Sequence, residues 1–190
     1  MRLILDVENN VTKRNDKLHL DPFEPDNCLV MVGMKTDNWE RVVTFEHATE
    51  PPTPNGHKMV QEQLNKTTCL VCHNVAHDLI WLWESGFEYE GIVFDTMLGE
   101  YILQRGQKKP LSLEQCAERY ELANKKQDTM KEYFKNGTLV SEIPHGELAE
   151  YLVYDLRATF DLANKIHRRL MTTDYDLYDT VTHTNMVAVC

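Results

Sequence analysis

The sequence has no apolar run of about 18 or more residues, and this absence excludes a transmembrane helix. Acids at Asp6 and Glu8 interrupt the N-terminal apolar run too early for a signal peptide. We therefore expect a cytoplasmic protein with no membrane partner, in which the five cysteines are reduced. Their odd number also argues against a fully paired set of disulfides.

Glycine, proline and basic residues are also sparse. There are only 8 glycines and 7 prolines, and the 42% apolar and 26% charged content is ordinary for a globular protein. This composition excludes collagen-like, low-complexity and largely disordered chains.

The 30 acids outnumber the 20 bases and leave a formal charge of −10. Proteins held on nucleic acid by phosphate contacts are usually basic, so composition alone argues against a nucleic-acid partner.

The length of 190 residues favours one domain, because domains of roughly 100–200 residues are usual. Apolar runs and turn signals predict strands over 2–8, 28–35, 39–45, 68–72 and 92–94, with a polar loop over 9–27. Helical periodicity predicts helices over 56–65, from 75, over 96–104, from 112, over 127–135 and over 146–170. Strands that precede and then alternate with helices indicate one α/β domain with a mixed central β-sheet flanked by helices.

Two carboxylates close the first predicted strand. Asp6 and Glu8 are two residues apart, so on a strand their side chains face the same side. Two carboxylates on one face of an otherwise apolar strand are costly unless a cation neutralises them, which indicates a metal site. The structural alternative is a strand end that reaches solvent.

Two further acids lie on predicted helices. Asn74 lies where the strand over 68–72 gives way to a helix, and Asp78 lies in that helix's first turn. The helix dipole favours an acid there in any protein, so capping is the alternative to chemistry. Tyr151 and Asp155 are four residues apart and share one face of the last helix. A structural hydrogen bond is the alternative for Tyr151.

Four acids therefore come from one strand and two helices. Carboxylate oxygens suit Mg²⁺ or Mn²⁺ better than zinc. A pair of such ions can activate a water and stabilise the leaving oxygen of a phosphodiester. The predicted ligands are Asp6, Glu8, Asp78 and Asp155.

A different interpretation starts from Cys69-Leu70-Val71-Cys72-His73, which matches the C-x-x-C-H pattern of haem attachment. With His77 added, the segment also suggests a zinc site. However, residues three apart on a strand point to opposite faces, so both thiols could not easily face one metal. No export signal is present either. We expect two small apolar side chains in a sheet, and no haem.

The ordered motifs resemble those of the DEDD 3′→5′ exonucleases. Asp6-x-Glu8, Asn74-x-x-x-Asp78 and Tyr151-x-x-x-Asp155 are similar to the three exonuclease motifs. The tyrosine marks the tyrosine branch, because the histidine branch would place His where Glu150 stands. Supporting segments extend the similarity over nearly the whole chain, namely 94–103, 112–120 and 155–159. The chain looks closest to the proofreading domain of a family A DNA polymerase of the bacteriophage type.

The resemblance implies a ribonuclease H-like exonuclease fold and a metal-dependent 3′→5′ exodeoxyribonuclease. Such an enzyme removes nucleoside 5′-monophosphates from the 3′ end of single-stranded or mispaired DNA with two divalent ions, Mg²⁺ or Mn²⁺. By resemblance, Asp6, Glu8 and Asp155 hold one ion, and Asp6 also bridges to the second. Asp78 acts through water, and Tyr151 orients the attacking water.

The resemblance also implies residues that contact the terminal nucleotide. Asn74 and the backbone near Val7 and Glu8 would position it. Two positions depart from the family pattern. His77 stands where Phe or Tyr is usual, so it would pack or contact the substrate. Asn9 stands where Thr is common.

A polymerase domain of the same parent chain is the expected partner. Residues 172–190 are similar to the segment that leads into that domain, and the sequence stops as an apolar helix begins. We therefore expect residues 1–190 to be one exonuclease domain of a longer polymerase, located in the host cytoplasm if phage-encoded. The bases that gather mid-chain form no long basic groove: Arg105, Lys108, Lys109, Arg119, Lys125, Lys126 and Lys131.

The acidic balance predicts that the domain alone binds DNA weakly and with strong salt dependence. Two other interpretations remain open at this point. One is an RNA-processing exonuclease similar to ribonuclease D, which shares all three motifs. The other is a catalytically silent exonuclease-like domain that serves as a binding scaffold.

Overall fold

A five-stranded mixed sheet forms the centre of the molecule in this computed structural model, which describes residues 1–14, 17–19, 21–122 and 128–173. The strands are β1 (Arg2–Asn10), β2 (Thr12–Arg14), β3 (Lys17–His19), β4 (Cys28–Lys35), β5 (Glu40–Thr44), β6 (Cys69–Cys72) and β7 (Ile92–Asp95). The order of strands in the central sheet is β5-β4-β1-β6-β7. Strand β4 is antiparallel to β1 and β5, whereas β6 is parallel to β1 and β7.

Helices cover both faces of this sheet. The helices are α1 (Gly56–Lys66), α2 (Val75–Glu84), α3 (Thr96–Leu103), α4 (Leu113–Arg119), α5 (Asp128–Asn136) and α6 (His145–Thr173), with a 3₁₀ turn at Val140–Glu142. Helices α1 and α2 pack on one face, and α6 with α3, α4 and α5 packs on the other. The mixed sheet between helical layers confirms the predicted α/β class and the ribonuclease H-like exonuclease arrangement. None of the described helices is both long and apolar enough to cross a bilayer.

The polar segment 9–27 was predicted to be a loop throughout, and this prediction is wrong. Strand β1 continues to Asn10, across a register shift after Glu8, and opposes Leu29 and Cys28. Strands β2 and β3 then form a separate antiparallel ladder. Ladder hydrogen bonds outweigh the low strand propensity of Asn here, because propensity is weaker than tertiary context. The predicted lead-in covers 172–190, and its residues 174–190 lie outside the described residues.

Strand β1 distributes apolar and acidic side chains to opposite faces. Leu3, Leu5 and Val7 enter the core that α1 and α2 cover. The even-numbered residues of β1 point to the opposite face, which α6 covers. Among them, Ile4 packs in a cluster with Leu156. Asp6 and Glu8 therefore end up on the face that α6 covers.

Gly33 allows α6 to lie close against β4. A Cβ atom added at Gly33 would lie 2.7 Å from the Cγ of Leu152 and 2.9 Å from the Cδ1 of Leu156, closer than real Cβ contacts allow. Gly33 is also the ladder partner of Asp6. Since Leu152 and Leu156 flank Asp155 along α6, this close approach brings Asp155 towards β1.

A buried carboxylate holds the helices on this face together. Glu100 of α3 is 2% exposed and accepts hydrogen bonds from Arg119 Nε at 3.1 Å and from the Tyr120 hydroxyl at 2.6 Å. Arg169 of α6 donates to the same hydroxyl at 2.6 Å. Because every partner is a donor, the buried charge is compensated. Helices α3, α4 and α6 are thereby connected.

Gly33→Ala should lower the free energy of unfolding by about 1–3 kcal/mol, because the new methyl group overlaps Leu152 and Leu156. Thermal or urea unfolding measures the change. Gly146→Ala is the matched control, since a Cβ there meets nothing within 4 Å. It should leave stability unchanged or slightly raised. Equal stability of Gly33→Ala and wild type would contradict the packing argument.

Candidate active site

Three carboxylates meet where β1 passes beneath α6. Asp6 and Glu8 come from β1 and Asp155 comes from α6, and one carboxylate oxygen of each lies within 4.8 Å of the others. Asp155 is only 8% exposed. Three acids this close repel one another unless a cation lies among them. The all-oxygen donor set fits a hard divalent cation.

Asp78, the fourth predicted acid, lies outside this group of three but close to it. It is 1% exposed, and burial together with the charges of Asp6 and Asp95 raises its pKa well above the usual range. The Val7 backbone N–H opposes this shift and lowers the pKa. Among the described residues, Asp78 Oδ1 has no hydrogen-bond partner. A buried carboxylate oxygen without a donor is also consistent with a cation site.

The N-terminus of α2 is capped by another acid. Asp95, at the end of β7, accepts hydrogen bonds from the backbone N–H of Asn74 at 3.1 Å and of Val75 at 3.2 Å. It also accepts from Met97 N at 2.8 Å and from Leu98 N at 3.3 Å, at the start of α3. Asp95 therefore fixes the ends of two helices.

No role for Asp95 was predicted. The sequence does contain an indication of this role. Asp95 stands at the end of a predicted strand directly before a predicted helix, which is a normal N-cap position. Its reach back to the start of α2 depends on the parallel pairing of β6 and β7, which only the fold supplies.

Tyr151 and Asp155 lie on one face of α6, as their spacing predicts. The Tyr151 hydroxyl bonds the Asp155 carboxylate, and burial together with the charges of Asp155, Glu8 and Asp6 raises the pKa of Tyr151 far above its usual range. The hydroxyl therefore keeps its proton at all ordinary pH values. Tyr151 also makes an edge-on contact with Phe134, with ring centroids 6.5 Å apart.

The predicted substrate-contacting residues lie around the N-terminus of α2. Asn74 adopts a left-handed conformation at φ 74°, which Asn tolerates better than most residues, and its side chain makes no capping bond. His77 lies 3.1 Å from Asn9, measured from Nε2 to Nδ2. Burial lowers the pKa of His77. Val7 presents its backbone N–H to Asp78.

His73 connects α2 to a basic loop. Its Nε2 donates to the carbonyl oxygen of Leu111 at 2.8 Å, and its Nδ1 lies 2.9 Å from the Thr96 hydroxyl. Leu111 closes the loop that carries three exposed bases with no carboxylate partner among the described residues: Arg105, Lys108 and Lys109. Other bases from the predicted mid-chain group are neutralised, since Arg119 binds Glu100 and Lys131 binds Glu114.

The two cysteines of the C-x-x-C-H segment face opposite sides of the sheet. Cys72 is fully buried in the core under α1 and α2, whereas Cys69 packs against the cluster on the α6 side. Burial raises the pKa of both thiols. The segment's histidine is bonded to Leu111 and Thr96, so these side chains do not converge on one point.

A cavity of about 620 Å³ is lined in part by Phe134 of α5, the ring that contacts Tyr151 edge-on. Its lining also includes Val11 and Thr12 after β1, Asp26 before β4, and Leu139 after α5. Phe134 is 46% exposed and Leu139 is 40% exposed. A mainly apolar cavity with an exposed aromatic ring in its wall suits a flat, partly apolar ligand group.

A family model described as 3′-5′ exonuclease matches residues 24–171 of this chain. The match covers the Asn74–Asp78 and Tyr151–Asp155 motifs and begins after Asp6 and Glu8. No curated protein matches the sequence significantly.

Solved structures share the fold at low sequence identity. NrnC of Brucella melitensis is 20% identical with Mg²⁺ bound (TM-score 0.61) and 19% identical with pGG bound (TM-score 0.62). Both alignments cover 99% of this chain and 79% of NrnC. The POL domain of Pol1 from M. smegmatis, in complex with DNA primer-template and dNTP, is 16% identical with a TM-score of 0.63. That alignment covers 96% of this chain but only 26% of the polymerase chain.

Asp78→Asn should stabilise the protein in EDTA at pH 7. Because the pKa of Asp78 is higher in the folded than in the unfolded protein, this residue lowers the free energy of unfolding once the pH exceeds the unfolded pKa of about 4. The amide removes that penalty, so Tm should rise by about 3 °C or more at pH 7. The gain should vanish below about pH 4, where Asp78 is protonated in both states. Thermal unfolding between pH 4 and 8 measures the difference.

Exposed Asp161 on α6 supplies the control, because Asp161→Asn should leave Tm unchanged. Adding Mg²⁺ should raise the Tm of wild type more than that of Asp78→Asn. A lower Tm for Asp78→Asn in EDTA at pH 7 would show that the carboxylate is compensated in the fold.

Proposed function

Because the chain belongs to the 3′-5′ exonuclease family, we propose that it removes nucleoside 5′-monophosphates stepwise from the 3′ end of single-stranded or mispaired DNA. The observation that carries this proposal is the convergence of Asp6, Glu8 and Asp155 within 4.8 Å, beside the Tyr151 hydroxyl. Phosphodiester hydrolysis is the chemistry that such an acidic cluster supports when it holds divalent cations.

Asp6, Glu8 and Asp155 would hold one Mg²⁺ or Mn²⁺ ion, and Asp78 would act on a second ion through water. When bound, the ions lower the pKa of a water and stabilise charge on the leaving 3′-oxygen. The protein's part is to hold the four carboxyl groups in one place. The raised pKa of Asp78 means that this residue loses its proton at neutral pH most readily when a cation is present.

Tyr151 would orient the attacking water and would not act as a base. Its hydroxyl bonds Asp155, and its raised pKa keeps the proton on the oxygen. With its proton donated to Asp155, the hydroxyl oxygen can still accept a hydrogen bond from a water and so hold that water in line.

The cavity lined by Phe134 would hold the terminal base. Exposed Phe134 offers a face for stacking, and Val11 and Leu139 supply apolar walls. Stacking of a base on an aromatic ring contributes about 1–3 kcal/mol and tolerates every base. A site built on stacking therefore accepts a single-stranded end of any sequence.

The basic loop would contact backbone phosphates. Arg105, Lys108 and Lys109 are exposed there, and the bond from His73 to Leu111 ties the loop to the start of α2. Asn74 and the backbone at Val7 and Glu8 would position the terminal nucleotide. Because this basic group is small and the chain carries a net charge of −10, binding should be weak and salt-sensitive.

The proposed role is proofreading, with a polymerase domain of the same parent chain as partner. The fold likeness to Pol1 of M. smegmatis, of which this chain spans about a quarter, supports this arrangement. In that setting, the neighbouring domain supplies most of the affinity for DNA.

A second candidate is an exonuclease that acts on RNA. Its support is the likeness to NrnC, including a structure with pGG bound, of which this chain spans 79%. The carboxylate cluster serves both substrates equally, so the cluster does not distinguish them.

Digestion of matched oligonucleotides distinguishes the candidates. Single-stranded DNA and RNA of one sequence, labelled at the 5′ end, are incubated with Mg²⁺ or with EDTA. We expect Mg²⁺-dependent shortening from the 3′ end, with DNA degraded faster. Faster loss of RNA would favour the second candidate. No shortening of either strand with Mg²⁺ or Mn²⁺ would contradict both and favour a silent binding scaffold.

Asp155→Ala should reduce cleavage by more than about 100-fold, because it removes an oxygen ligand from the cluster. The rate of product release with Mg²⁺ measures the loss, and circular dichroism checks the fold. Asp161→Ala, an exposed acid on the same helix, is the matched control and should retain the wild-type rate. Near wild-type cleavage by Asp155→Ala would refute the assignment.

A further inference from the structure

A second, smaller cavity of about 280 Å³ lies between the sheet and α6, at the edge where the parallel strands begin. The ladder pairs Arg2 of β1 with Cys69 of β6, and it pairs Val71 of β6 with Phe94 of β7. The side chains that line the cavity from the sheet belong to these two rows: Arg2, Cys69, Val71 and Phe94. Strand pairing therefore builds one wall of the cavity.

Small side chains on α6 and β6 leave this space unfilled. Helix α6 contributes Ala163 and His167, which are four residues apart and therefore share one face of the helix. Ala163 and Val71 are each 1% exposed and belong to one apolar cluster, so the floor of the cavity is part of the core. Protein interiors hold few voids larger than a water molecule, which makes an unfilled volume of this size a candidate ligand site.

Arg2 supplies a fixed positive charge in the lining. Its Nη1 donates to Asn164 Oδ1 at 2.7 Å, and its guanidinium lies 4.8 Å from the centre of the Phe160 ring. Its ion pair with Asp37 is 3.5 Å long, and the Asp37 side chain is 70% exposed, so this pair contributes little. A guanidinium has five N–H donors, and Arg2 spends one of them on a hydrogen bond with the described residues. Donors therefore remain for an anion.

His167 adds a neutral polar group beside this charge. Its ring makes an edge-on contact with Phe94, with ring centroids 6.5 Å apart. Burial and the charge of Arg2 lower the pKa of His167, so its imidazole is neutral at pH 7. None of the described residues that line the cavity is acidic. The cavity thus combines one cation with an apolar floor.

We propose that this cavity binds a small organic anion, with a carboxylate on Arg2 and an apolar body against Val71, Phe94 and Ala163. Arginine pairs with carboxylates through two parallel N–H···O bonds, and here the guanidinium is already held in place by Asn164. A volume of about 280 Å³ lies at the lower end for ligand cavities, which limits the ligand to one ring or a short chain. Small aromatic carboxylates are the class that fits, and benzoate is a simple probe.

This site is separate from the candidate active site. Arg2 begins β1, and Asp6 lies four residues further along the strand, a distance of about 13 Å. His167 follows Asp155 by 12 residues, which is about 18 Å along α6. Binding of the anion therefore requires neither nucleic acid nor a metal ion.

Titration of ¹⁵N-labelled protein with benzoate, followed by NMR, tests the binding. EDTA is present throughout, so that no cation in the carboxylate cluster can recruit the anion. We expect saturable shifts at residues 69–71 and 163–167, and at least tenfold weaker binding of benzamide, which has the same ring without the charge. No saturable shift at these residues, or equal binding of benzamide, would overturn the proposal.

Variants of the lining test which residues bind the anion. Arg2→Gln should weaken benzoate binding at least tenfold, whereas Arg168→Gln, an exposed position on α6 outside the lining, should bind as wild type does. Ala163→Leu fills the cavity and should abolish binding, with the fold checked by circular dichroism. It provides an independent test should Arg2→Gln fail to fold. Unchanged binding by Ala163→Leu would show that the anion binds elsewhere.

The Cys69 thiol reports whether the cavity is occupied. Cys69 lines the cavity and is partly exposed, so its alkylation by N-ethylmaleimide can be followed by mass spectrometry. Saturating benzoate should slow this alkylation at least fivefold. Cys28, a partly exposed thiol outside the lining, is the internal control and should react at an unchanged rate. Equal alkylation of Cys69 with and without benzoate would exclude this cavity as the binding site.

Discussion

The structure depends on the close packing of α6 against β4 at Gly33. No side chain fits there, since a Cβ would lie 2.7 Å from Leu152. Because Gly33 is opposite Asp6 in the ladder and Leu152 and Leu156 flank Asp155, the same contact that builds the core assembles the acids. The precision of the carboxylate cluster therefore comes from apolar packing, which protein interiors hold to near-crystalline density.

The buried acids divide into two groups by what surrounds them. Glu100 is compensated by Arg119 and Tyr120, and Asp95 by four backbone N–H groups. The acids of the cluster face one another, and Asp78 keeps an oxygen with no donor among the described residues. Compensated acids hold helices in place. The acids of the cluster repel one another at this distance, so bringing them together costs folding free energy.

Sequence reasoning succeeded where a residue's neighbours lie on its own element. The spacing of Asp6 and Glu8, and of Tyr151 and Asp155, placed each pair on one face because strand and helix periods are fixed. Sequence reasoning did not predict that β1 continues to Asn10. That extension depends on hydrogen bonds to β4, and such cross-strand bonds leave no periodic pattern in the sequence. The role of Asp95 was also missed, because its partners at Asn74 and Val75 are 20 or more residues away.

The amino-acid sequence by itself determined the ordered acidic motifs, the mixed α/β class and the elements that carry each acid. Local periodicity suffices for these features. Only the tertiary structure decided that Asp6, Glu8 and Asp155 meet, that Asp78 is buried beside them, and that Asn9 binds His77. Those contacts depend on how closely α6 and α2 approach β1. That approach is decided by the packing of side chains that are distant in sequence, such as Gly33 against Leu152.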